Sequence, residues 1–104
     1  MKLQRITLSD AAVADILEQA DWYESRADYR LAERWENAVT TTLLRILTAP
    51  RSGQLCHFKS EELRDVRRAF VAEFPKHLVF YRFGDNELFI LRIVHSARDL
   101  ESLF

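Results

Sequence analysis

The 104-residue chain contains one cysteine, two glycines and two prolines. A lone Cys56 forms no internal disulfide, which suits a reducing cytoplasm. Two isolated glycines build no phosphate-cradling loop, so nucleotide-dependent chemistry is not expected. No apolar run approaches the roughly 18–20 residues that a membrane span requires, and the opening MKLQRITLSDAAV has no signal-peptide core. The expectation is a cytoplasmic protein without a membrane partner. Charge of one sign is missing too. The formal net charge is -1 and the pI about 6.3, which disfavours direct, sequence-specific nucleic-acid binding. Residues 1–50 carry six Lys/Arg against eight Asp/Glu and residues 51–104 nine against eight, so any positive surface must come from geometry in the second half.

What is present is core material. Seven Phe, three Tyr and two Trp accompany a 30% charged fraction, a balance that excludes disorder and low complexity. A chain of this length buries roughly two-thirds of its unfolded surface, enough for one domain over residues 1–104.

Lys2 to Leu8 alternates and predicts a short strand. Ser9 and Asp10 then supply an N-cap, and Val13, Ile16, Leu17, Ala20 and Tyr23 repeat at helical spacing over about residues 10–27. Asp28 caps a second helix whose stripe is Ala32, Trp35, Val39, Leu43 and Ile46; Pro50 ends it near Thr48. So short a break makes the two helices an antiparallel hairpin. After a turn cluster at residues 49–54, strands are expected at Val66–Val71, Leu78–Phe83 and Leu88–His95, the last two joined by a tight turn at Gly84–Glu87. Ser96 is placed to cap a short terminal helix. The fold class is α+β, with an N-terminal strand and an antiparallel helical hairpin packed on a small antiparallel sheet.

In that register Phe83 opposes Leu88 and Tyr81 opposes Ile90. One face holds Leu78, Phe80, Phe89, Leu91 and Ile93 and is assigned to the helices. The other holds Val79, Tyr81, Phe83, Leu88, Ile90 and Val94 with Arg92 among them, too apolar to stand bare, so a partner is expected to cover it.

Metal binding finds no support, because His57, His77 and His95 lie far apart in sequence and none has a Cys or carboxylate at ligand spacing. Adjacent Cys56 and His57 would point to opposite sides of a strand and read as structural. No cofactor is expected. The remaining constellation is basic: Arg64, Arg67, Arg68, Arg82, Arg92, His95 and Arg98, with Glu61, Glu62, Asp65 and Asp99 near enough in sequence to neutralise several. Arg92 stands out because a charge inside a central strand must be paired or sit at a surface that matters. Trp22, Tyr23 and Trp35 read as core, with one of them left to line a groove between hairpin and sheet.

Four segments together resemble the ParE branch of the RelE/ParE superfamily of bacterial toxins from type II toxin–antitoxin systems. They are LSDAAVADILEQADWYES, LLRILTAPRSGQ, VRRAFVAEFPKHLVFYRF and the closing ILRIVHSARDLESLF. The resemblance implies the fold just derived. It also implies a ParD-like antitoxin of ribbon-helix-helix type that wraps the toxin, with Val79, Tyr81, Phe83, Ile90, Arg92 and Trp35 as candidate contacts. ParE-type members inhibit DNA gyrase and so block replication; Arg64, Arg67, Arg68, Arg82, His95 and Arg98 are the toxicity candidates. RelE-type members instead cut mRNA in the ribosome, which needs a base, an acid and cations around the phosphate; His95, Arg67, Arg68 and Glu73 would supply them. The net charge of -1 favours the gyrase reading, in which the chain is an inhibitor and not an enzyme. The nuclease, and a non-toxic binding member of the fold, are the alternatives.

Overall fold

The structure is a computed structural model that describes residues 3–98 and 100–104. Lys2, expected in the first strand, and Asp99, expected near the arginines and His95, lie outside the described residues. The elements run β1 (Arg5–Leu8), α1 (Asp10–Arg26), α2 (Tyr29–Thr48), β2 (Gln54–Leu55), β3 (Arg67–Val71), β4 (Phe74–Gly84) and β5 (Glu87–His95). Short 3-10 turns occupy Pro50–Ser52, Glu61–Leu63 and Leu100–Leu103, so the expected terminal helix is a single turn of the tighter kind.

Both helix starts are set by side-chain caps. Ser9 Oγ accepts the Ala12 N–H, and the Asp28 carboxylate accepts the N–H groups of Arg30 and Leu31, satisfying donors a helix leaves open. The sheet order is β1-β5-β4-β3-β2. It is mixed: β1 joins β5 in parallel, and every other pairing is antiparallel. A two-residue turn closes β4–β5, with Asp85 and Asn86 both in the left-handed region, as a type I′ hairpin turn demands.

The face assignment made from the sequence is reversed. Val79, Tyr81, Leu88 and Ile90 are buried against Trp35, Val39, Leu43 and Ile46 of the hairpin, with Phe83 packed beside them. The opposite face, with Leu78, Phe80 and Val94, is covered by the chain's own Cys56, Phe58, Leu63, Val66 and Leu103, and Phe104 lays its ring against Phe58 and Phe80. Both faces were apolar in sequence, so alternation could not choose between them. A β-bulge decides the rest: pairing shifts between Phe80 and Tyr81, so Leu91 is an extra residue on β5. Past it Ile93 turns to the helices and Val94 to the other side.

The expected antitoxin surface is thereby corrected. Trp35, Tyr81, Val79 and Ile90 are at most 1% exposed, inside the chain's own core. Trp35 donates its indole N–H to Ile16 O, and Arg92 is held by Asp15. Folded chain offers none of these side chains as a bare patch.

Candidate functional site

A groove of about 710 Å³ lies between α1 and the β3–β4 turn end of the sheet. Helical spacing aims Trp22 and Glu18 into it from α1, while Phe74 and His77 of β4 and His95 of β5 form the opposite wall. Trp22 is 50% exposed, so it is the aromatic left on the groove, whereas Trp35 is core and Tyr23 bridges them. Tyr23 has ring centroids of Trp22, Trp35 and Phe74 at 5.6, 6.0 and 5.5 Å. An aromatic floor with a half-open Trp is the composition that anchors a protein partner.

His77 and His95, far apart in sequence, pair directly across β4 and β5, ring centroids 5.3 Å apart. His77 also lies 4.7 Å from the Trp35 ring and is buried, and its Nε2 has no hydrogen-bond partner among the described residues. Burial, then the neighbouring His95, holds its pKa below the ordinary value. His95 is exposed, and its Nδ1 accepts the Ala97 N–H. Glu73 and Arg98 line the same groove, with Glu73 reaching Arg34 at 3.4 Å.

The other candidates lie elsewhere. Arg67 and Arg68 pair with Tyr81 and Phe80, toward the far end of β4 from His77. Four residues of strand separate the His77 and Tyr81 positions, about 13 Å, so His95 and Glu73 do not converge with Arg67 and Arg68 as an acid–base–cation set must. Arg67 Nη1 donates to the carbonyls of Gly53 (2.8 Å) and Arg51 (3.3 Å), and Arg68 Nη2 to Gln54 Oε1. Arg82 is paired with Asp65 at 2.9 Å and also donates to Glu62 O; Arg64 reaches Glu61 at 3.7 Å on the open surface. Cys56 is buried, which raises its thiol pKa, while His57 is exposed, so the two act as no couple. Among the described residues no three His, Cys, Asp or Glu side chains are grouped to hold a metal ion, and no helix is long and apolar enough to cross a membrane.

Asp15 was missed in the sequence. Its carboxylate takes two guanidinium N–H bonds from Arg92, both at 2.8 Å, and the Ile93 backbone N–H at 2.9 Å. It stands past the end of β1, on the edge of β5 that faces away from β4. The signal was present: Ala12, Asp15, Ile16 and Tyr23 share one helical face, so this acid belongs to the inward stripe. The pairing raises the pKa of Arg92.

The family described as ParE toxin of type II toxin-antitoxin system, parDE, matches residues 6–100. The chain belongs to the ParE toxin family. A solved structure described as the chromosomal ParDE TA system from P. aeruginosa superposes with a TM-score of 0.71 at 18% identity, covering 89% of this chain and 96% of that one, which establishes the shared fold. A solution structure of the conserved hypothetical protein HP0894 from Helicobacter pylori aligns at 19% identity over 90% of this chain and 96% of that one, with a TM-score of 0.46. Comparison with curated proteins gives no match.

Proposed function

We propose that this chain is the toxin of a type II toxin–antitoxin pair, that it arrests replication by inhibiting DNA gyrase, and that a ParD-like antitoxin neutralises it by seating a segment in the groove beside Trp22. The observation that carries the reading is the ParE family match over residues 6–100. Two features support it. The residues of the acid–base–cation set a ribonuclease requires stand about 13 Å apart along the sheet, His95 from Arg67, which favours inhibition by binding. The groove offers a concavity with an open aromatic anchor in Trp22.

The test is a supercoiling assay with purified gyrase. Added toxin traps gyrase–DNA cleavage complexes, and a stoichiometric amount of the antitoxin encoded beside it restores supercoiling. Normal supercoiling at saturating toxin overturns the target. Trp22→Glu in the toxin is expected to weaken the antitoxin complex at least about tenfold, as loss of a central aromatic anchor does. Unchanged affinity places the antitoxin elsewhere.

A further inference from the structure

Four arginines gather away from the groove: Arg45 in the last turn of α2, Arg51 in the 3-10 turn, and Arg67 and Arg68 on β3. Arg45 and Arg68 line one notch of about 350 Å³, together with Gln54 and Phe70. Arg67 faces the helix side of β3 with Tyr81 and donates to the carbonyls of Gly53 and Arg51, and the Arg51 guanidinium lies over the Phe83 ring, 5.7 Å from its centroid, so Arg45 and Arg68 are the two cations that line the notch. Arg5, Arg34, Arg64, Arg82 and Arg92 each hold a carboxylate within ion-pair distance. Among the described residues none is that close to any of these four. A chain of net charge -1 therefore keeps two cations, Arg45 and Arg68, at one notch without a carboxylate within ion-pair distance.

The notch adds a second feature. Phe70 is 65% exposed on β3, just past the end of the two-residue β2. An open phenyl ring costs solubility and contributes nothing to this core. Guanidinium forks match phosphate oxygens, and an exposed ring beside them gives a base a surface on which to stack. Duplex DNA hides the faces of its bases; a single strand presents them.

We propose that this notch binds single-stranded DNA, with Arg45 and Arg68 on its phosphates and Phe70 under one base, without reading sequence. The binding itself stands on charge and geometry. Its preference for DNA over RNA rests on the gyrase reading.

The experiment is fluorescence anisotropy of the full chain with labelled 20-nucleotide single-stranded DNA, the matching duplex and the matching RNA. For two phosphate contacts, affinity for the single strand falls about sevenfold between 50 and 200 mM salt. In the Arg45→Gln/Arg68→Gln double variant that salt effect is lost. Phe70→Ala weakens single-strand binding at least about fivefold and leaves duplex binding unchanged. Arg26→Gln/Arg30→Gln, at the other end of the hairpin, leaves all of it unchanged, and thermal unfolding checks that each variant is folded. Absence of binding at 50 mM salt, duplex binding as tight as single-strand binding, or indifference to the notch variants overturns the proposal. Tighter binding to RNA overturns its choice of DNA, whatever the supercoiling assay returns; inhibition of gyrase without any DNA binding overturns the notch and leaves the target standing.

Discussion

Asp15 and Arg92 stand 77 residues apart in sequence and meet in a two-pronged ion pair, both N···O distances 2.8 Å. The same carboxylate accepts the Ile93 N–H, so one helix residue closes the edge of β5 that β1 leaves open. Both side chains are mostly sheltered, at 7% and 18% exposure, so removing one partner strands the other. Asp15→Ala is expected to cost about 2–3 kcal/mol, given the partial exposure of Arg92. Replacing both by apolar residues of similar volume, Asp15→Leu with Arg92→Met, recovers a good part of the loss. Urea unfolding of the three proteins checks this; a double variant no more stable than Asp15→Ala contradicts it.

Tyr81 secures the loop after α2. Its hydroxyl accepts the Gly53 N–H at 2.9 Å and donates to Pro50 O at 2.8 Å. Tyr81→Phe leaves those two buried backbone groups without a partner and is expected to cost about 1–3 kcal/mol. The same contact explains Gly53, whose φ of -71° any residue adopts: a Cβ there would lie 2.1 Å from the Tyr81 hydroxyl. Gly53→Ala is therefore expected to destabilise the fold, and combining it with Tyr81→Phe to cost less than the sum of the two. Additive losses in thermal unfolding would count against that contact.

His77 gives stability a pH dependence whose sign is fixed. Burial and then His95 lower its folded pKa from 6.5, so below about pH 6.5 the unfolded chain binds a proton that the folded chain resists. Stability from this residue is whole above that pH and falls as pH drops. The melting temperature of the wild type is expected to decline between about pH 7.5 and pH 5.5 more steeply than that of His77→Phe, which keeps a ring against Trp35 without titrating. Parallel curves would remove His77 from the account.

Helices, their caps and the β4–β5 turn were legible in the sequence because each rests on local chemistry: Ser9 and Asp28 at the starts, Pro50 after the second end, Asp85 and Asn86 in the turn. Hidden were the features set by distant segments. Four residues of β1 join β5 in parallel, and β2 is only Gln54–Leu55, too short for any period to register. The extra residue Leu91 breaks an alternation that the sequence continues without pause. With apolar residues on both faces of β4, the choice of inner face rested on which segments came to cover each. Arg92 was rightly singled out as a cation needing an explanation, but its partner was an acid on α1 and not another polypeptide. Of the candidate site residues, His95, Glu73 and Arg98 share the groove; Arg64, Arg67, Arg68 and Arg82 do not.

The most direct measurement is expression of the chain alone in bacteria, with pulse-labelling of DNA and protein synthesis in the minutes after induction. Inhibition of gyrase stops thymidine incorporation first while amino-acid incorporation continues, and co-expression of the antitoxin restores both. Protein synthesis failing first, or undisturbed growth with folded protein accumulating, would contradict the account.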